Sequence, residues 1–148
     1  MFAVTAEPRA TFRAAISARL HADATLMALV TGIYGHLSEA ARVAYPYLVF
    51  GSQPLTRDAG AMGLPGAHVE LQLDGWSDYK GPAEIEDILS RVSVLLERQP
   101  LAVSGFEMVL GSLTCELSDV DEEPDQDKPG SVLWRGMQRW VADIHEAA

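Results

Sequence analysis

Between His68 and Pro100 the hydrophobic pattern changes period within a few residues. Val69, Leu71, Leu73 and Gly75 alternate with His68, Glu70, Gln72, Asp74 and Trp76, the period-two pattern of a half-buried antiparallel strand. After Gly81-Pro82, a pair suited to a helix start, Ile85, Ile88, Leu89, Val92, Leu95 and Leu96 recur at helical spacing. Glu84, Glu86 and Asp87 suit the positive end of that helix, Arg98 suits its negative end, and Pro100 stops it. Asp87 and Arg91 are spaced for an i,i+4 ion pair.

Upstream, Pro8 can open a helix that carries Phe12, Ile16 and Leu20 on one face. Asp23 can cap a second helical segment, with Leu26, Met27, Leu29 and Val30, which Gly32 would end. The two segments are separate helices or one bent helix. Ile33–Ala44 has room for a turn of helix around Ser38–Arg42. Tyr47–Ser52 reads as a strand with Pro46 at its start. Gln53–Ala67, with Pro54, Gly60, Gly63, Pro65 and Gly66, reads as the long tip of a hairpin; loops of that length in a compact domain are usually functional or mobile.

Downstream, Leu101–Val103 reads as a short strand, and Ser104-Gly105 as a turn. In Phe106–Leu117 the apolar parity switches, which a bulge near Gly111 would reconcile. Ser131–Ile144 forms the last strand. Its even positions, Val132, Trp134, Gly136, Gln138, Trp140, Ala142 and Ile144, carry no charge and should face the core. Its odd positions mix Leu133, Arg135, Met137, Arg139, Val141 and Asp143. That mixture fits a protein–protein interface and equally an ordinary solvated sheet face.

The expected fold is therefore α+β: a single domain spanning 1–148, with a mainly antiparallel sheet of about four to five strands packed against N-terminal helices and one long central helix. The chain's 148 residues suit one domain, which at that size buries about 70% of the surface its unfolded chain exposes. No internal repeat or linker divides it. No apolar run approaches the ~20 residues needed to cross a bilayer, so no membrane partner is expected. The first residues lack a basic stretch followed by an apolar core, so no signal peptide is expected. Cys115 is alone, which excludes an internal disulfide and suits a reducing compartment. It reads as a small buried hydrophobe rather than a nucleophile.

Charge adds one local feature. Net charge is −10, and seven of the 21 acidic residues fall between Glu116 and Asp127. The eleven basic residues are scattered, which argues against a protein that grips nucleic-acid phosphates. Asp119, Asp121, Glu123, Asp125 and Asp127 recur at every second position, superficially like a calcium loop. Counted from Asp119, however, the glycine position holds Pro124 and the closing glutamate position holds Gly130. The segment reads as an acidic loop between two strands, either simply solvated or presented to a partner.

Catalytic motifs do not emerge. His21, His36, His68 and His145 have no metal-ligand spacing. Gly51-Ser52-Gln53 is not a nucleophile elbow. Gly60, Gly63 and Gly66 lack the Lys-Ser/Thr of a phosphate loop.

The order of elements, with DATLMALV at Asp23–Val30, Ile33-Tyr34, YPYLV at Tyr45–Val49, the strand ending at Leu73-Asp-Gly-Trp76-Ser77, the helix Ala83–Leu96 and the long strand Val132–Ile144, resembles the small tail-completion or tail-terminator proteins of long-tailed phages and gene transfer agents. The resemblance runs from about Phe12 to Ile144. It departs at Asp119–Asp127, where the family has a shorter turn. The resemblance implies a structural virion protein, made in the bacterial cytoplasm and placed at the tail–neck junction. There it would form a homo-oligomeric ring of six subunits that terminates the tail tube. Its partners would be its own copies, the tube protein and the head–tail connector or stopper, with DNA passing through the lumen without specific binding. It brings no catalytic residue, cofactor or metal.

Three groups of residues are candidates for these contacts. Trp76, Arg135, Met137 and Arg139 are candidates for a subunit interface. Leu55, Arg57, Met62 and Leu64 belong to a candidate docking loop. Asp119, Asp121, Glu122, Glu123, Asp125 and Asp127 are candidates for a lumen or partner-facing loop. The alternatives are a small acidic adaptor that binds a basic partner outside a virion, another neck ring such as a stopper, and an enzyme whose site the sequence does not reveal.

Overall fold

In the computed structural model, residues 7–37, 43–58 and 66–147 are described. The elements are helix α1 (Pro8–His21), helix α2 (Ala24–Leu29), strands β1 (Ile33–Tyr34), β2 (Tyr47–Phe50), β3 (Leu55–Asp58) and β4 (Gly66–Ser77), helix α3 (Ala83–Leu96), and strands β5 (Phe106–Met108), β6 (Thr114–Pro124) and β7 (Val132–Glu146). The fold is α+β, as the periodicities predict.

The sheet is built on one long pair. All twelve residues of β4 pair antiparallel with β7, from Gly66 opposite His145 to Ser77 opposite Trp134. β2 and β3 follow one another along the free side of β4. The bonds Gly51 N–H to Gln72 O and Glu70 N–H to Pro54 O carry the pairing across the gap between them. β5 and β6 do the same along β7, and β1 adds a parallel edge beside β2. Seven strand segments thus fill five positions.

Several expectations for the strands change. Residues 55–58, 66 and 67 are strand rather than loop, so the hairpin connection is only residues 59–65. Those, with the Met62 and Leu64 of the candidate docking loop and the turn sought at Ser38–Arg42, lie outside the described residues. Leu101–Val103 is not a strand, because Phe106 N–H bonds Val103 O and closes a tight turn instead. Phe106–Leu117 is two strands separated by a turn in which Gly111 takes φ +75°, and a register shift follows at Cys115/Leu117. The acidic stretch is mostly strand: Asp119, Asp121, Glu122 and Glu123 lie in β6, paired with β7. Strong cross-strand pairing outweighs like-charge repulsion when the side chains remain in water, as most of these do.

The helices cover one face of the sheet. Phe12, Ile16 and Leu20 of α1 and all six residues of the α3 stripe are buried, with Val69, Leu71, Leu73, Trp140, Ala142 and Ile144 beneath them. α1 and α3 are equally long, at 14 residues each. Glycines set how closely α3 sits. Gly75 and Gly136 are paired across β4 and β7. A Cβ added at Gly75 would lie 2.6 Å from Ile85 Cδ1, and one at Gly136 2.8 Å from Leu89 Cδ1.

α2 ends at Leu29, and Val30 is already extended, so the helix stops before Gly32. Asp23 caps it by accepting from Leu26 N–H at 2.8 Å. The same carboxylate takes both arms of Arg91, Nε and Nη2, each at 2.8 Å. Arg91 therefore pairs across 68 residues with Asp23 rather than along its own helix with Asp87. A bidentate partner that also caps a helix outcompetes an exposed i,i+4 pair.

The Arg91 bonds, and then the Leu26 N–H, hold the Asp23 carboxyl well below its ordinary 3.8, down to about 2. A depressed folded value means that Asp23 contributes stability above about pH 3.8, and that this contribution fades as pH falls toward 2. Unfolding free energies of the native chain and of Asp23→Asn should therefore differ at pH 6 and converge between pH 4 and 2. Parallel pH profiles would refute the coupling.

Candidate assembly surface

Alternation along β4 and β7 leaves a second face that no helix covers among the described residues. Register stacks its side chains in rows. One row runs Tyr47, Trp76, Arg135, Asp121; the next runs Val49, Asp74, Met137, Asp119; Gln72 and Arg139 are paired in the third. Trp76, Arg135, Met137 and Arg139, selected from sequence as interface residues, are thus neighbours on one surface. All four are half-buried.

Arg135 organises the middle of this face. Its Nη2 donates to Asp74 Oδ1 at 2.9 Å, and its guanidinium lies 5.7 Å over the Trp76 ring, a cation–π geometry. Gln72 Nε2 donates to both Asp74 oxygens, at 3.3 and 3.2 Å. Asp74 is only 9% exposed, and its Oδ2 would lie 3.1 Å from a Cβ at Gly51, so the absence of a side chain there keeps the carboxylate's neighbourhood open. No sequence signal marks this role of Asp74, which sits on the polar side of a strand like any solvated residue.

An aromatic cluster extends the first row. Tyr34 meets Tyr47 edge-on at 6.2 Å, and Tyr45 stacks on Tyr47 at 5.5 Å. Burial, and then Asp125, Asp127 and Asp78, push the Tyr45 hydroxyl up from its ordinary 10.0. The turn between β6 and β7 therefore places Asp125 and Asp127 within electrostatic range of Tyr45. Asp125 also accepts from Asp127 N–H at 3.0 Å. Of the six acidic candidates, Asp119, Asp121 and Glu123 share the bare face, Glu122 points to the other, and Asp125 and Asp127 hold the turn. The Tyr45-Pro46-Tyr47 run was the only sequence signal of the aromatic cluster.

β3 carries Leu55 opposite Val69 and Arg57 opposite Ala67, far along the sheet from Arg135 and Trp76. In register, Leu55 and Arg57 are therefore remote from the interface candidates.

Burial pushes the Cys115 thiol up from 9.0, which makes it a weaker nucleophile than a free cysteine. Among the described residues no three His, Cys, Asp or Glu side chains are grouped to hold a metal ion. No helix there is long and apolar enough to cross a membrane. The bare face gathers a paired guanidinium, a second guanidinium, a thioether and an indole, groups enriched where proteins meet.

The family model described as tail completion protein gp17 matches residues 14–139. The chain belongs to the tail-completion protein family. Tail-completion proteins are structural components of virion tails and not enzymes. Two solved structures share the fold of this tail-completion chain. One is a chain in the virion of a native gene transfer agent (GTA) particle, with 20% identity and a TM-score of 0.78, covering 95% of this chain and 99% of that one. The other is the gp17 protein of bacteriophage SPP1, with 24% identity and a TM-score of 0.58, covering 95% and 94%. No curated protein matches the chain.

Proposed function

We propose that this tail-completion protein forms a ring of six copies that ends the tail tube at its head-proximal end and presents a surface to the head connector. The observation that carries the proposal is the bare sheet face, where Trp76, Arg135, Met137 and Arg139 form one patch remote from the β3–β4 hairpin. A closed ring needs two different patches on each subunit, joined head to tail, and a single self-complementary patch would stop at a dimer. Family membership supports the placement in the tail. The partners are other copies of the chain, the tube protein and the connector or stopper.

Mixing the purified chain with its tube protein tests the reading directly. Tubes should stop lengthening and show an end ring by negative-stain microscopy. Tubes that grow as though the chain were absent would refute it.

The acidic strand has a place in the same ring. Asp119, Asp121 and Glu123 alternate along β6 on the bare face. Turned toward the lumen, carboxylates repeated around a ring would repel DNA phosphates and let the duplex slide rather than stick. Neutralising Asp119, Asp121 and Glu123 together should then slow DNA passage and lower particle infectivity. Unchanged infectivity with normal ring assembly would exclude the lumen role.

A further inference from the structure

An open groove of about 570 Å³ lies where the chain passes from α3 into β5. Pro100, Leu101, Val103, Phe106 and Met108 make most of its lining, and Glu107 is the acidic residue on it. Phe106 and Val103 are buried and fix the floor; Leu101 and Met108 are half-buried and open toward solvent. Beyond the groove the chain continues apolar, with Leu110 86% exposed in the following turn. Nothing in the core requires so much apolar surface to remain in water, and exposed apolar patches of this kind mark contact sites.

Register locates the groove relative to the first hairpin. Asp58 pairs with Gly66, Gly66 with His145, and His145 with Glu107, so one row crosses the sheet from the tip end of β3 to β5. Asp58, where β3 ends, and the groove are therefore at the same end of the sheet but on opposite flanks, three strand spacings apart, about 14 Å. The connection, residues 59–65, reads Ala-Gly-Ala-Met-Gly-Leu-Pro and contains no charge. Between Gly66 and the groove of its own chain lies β7, which continues to Glu146, and Ala147 N–H then bonds Gly105 O.

We infer that the groove beside β5 of one copy receives the uncharged hairpin connection, residues 59–65, of the next copy. The inference rests on the ring proposed above and names a contact that joins its subunits. Features at the same height on opposite flanks are what a head-to-tail cycle brings together, since each rotation about the axis sets one flank against the other. Met62 and Leu64 supply two apolar side chains, and Met adapts to irregular cavities. The open groove of about 570 Å³ has room for side chains of this size.

Cysteine pairing tests the contact in a Cys115→Ala background. One chain carries Met62→Cys, and a second carries Ala102→Cys, at an exposed residue that lines the groove. Mixed and mildly oxidised in the presence of tubes, they should form a disulfide-linked heterodimer, and a chain carrying both substitutions should give a ladder of oligomers. Separately, Ala102→Glu should weaken self-association at least tenfold with an unchanged Tm. A disulfide confined within the doubly substituted chain would overturn the inference. So would coupling to Ala102→Cys from Phe2→Cys, in place of Met62→Cys; residues 1–6 also carry no charged side chain. Rings that assemble without cross-linking would overturn this contact and leave the ring intact, whereas failure of the chain to self-associate even on tubes would overturn both.

Discussion

Trp140→Ala should lower the unfolding free energy by about 3–5 kcal/mol, and Tm by roughly 10 °C or more for a chain of this length. Trp140 is fully buried at the middle of β7 and faces the helices. Two effects combine. The first is the lost apolar contact and the cavity that remains beneath α3. The second is polar. Trp140 Nε1 donates to Gln138 Oε1 at 3.1 Å, and Gln138 Nε2 donates onward to Leu89 O at 3.3 Å and Ser93 Oγ at 3.1 Å. Gln138 is 2% exposed, so without the indole its oxygen would be stranded from water. Trp140→Phe largely separates the two effects, because it keeps most of the ring volume while removing the donor, at a cost of about 1–3 kcal/mol. In the Gln138→Leu background the Trp140→Phe cost should shrink, since the stranded acceptor is gone. Urea unfolding of the four chains measures the coupling. A Trp140→Ala loss below about 1 kcal/mol would mean that the helix layer collapses onto the gap.

Where burial is regular, the sequence reveals the fold. All six apolar residues of the α3 stripe are buried, as are Val69, Leu71 and Leu73 of β4 and the even positions 136–144 of β7. Each of these elements has one wet side and one dry side, and the periodicity records that difference. β6 has no such record. It is paired on one side only among the described residues, most of its side chains are in water, and its carboxylates resemble those of a solvated loop. The continuity of β2 with β3 was hidden for a related reason. Pro54 and the glycines read as breakers, whereas the backbone bonds to Gln72 and Glu70 that bridge the gap leave no trace in side-chain pattern.

The surface was legible only in part. Parity put Arg135, Met137 and Arg139 on one side of β7, and register then added Trp76, a step that requires knowing which strand lies alongside. The pairing of Arg91 with Asp23 was beyond reach for the same reason, since a local candidate at Asp87 competes on paper with a tertiary partner 68 residues away. Asp74 shows the limit most plainly. Its near-complete burial depends on Gln72, Arg135 and the bare backbone of Gly51, three positions that only the assembled sheet brings together.

The double substitution Met137→Gln, Arg139→Gln should leave Tm within a few degrees of the native value and require at least tenfold more protein to cap tubes. Both side chains are half-buried on the bare face, and neither belongs to the Asp74–Arg135–Trp76 arrangement that holds the face together. Their replacement by a neutral polar residue of comparable length removes the thioether and a guanidinium without placing a charge beside Asp74 and Asp119, the row partners of Met137. A fold held by the opposite face has little reason to respond. An interface does: Arg is enriched among residues whose truncation costs ~2 kcal/mol or more, equivalent to a factor of about 30 in affinity. Arg135→Ala is the contrasting control. It would disturb the face and the fold together, because it leaves the Asp74 carboxylate with Gln72 alone at a cost of about 1–2 kcal/mol for a pair partly open to water. Capping titrations read alongside thermal unfolding separate the two cases. Undiminished capping by the Met137/Arg139 variant would mean that the bare face stays in solvent, and the ring would have to close through the sheet edges alone.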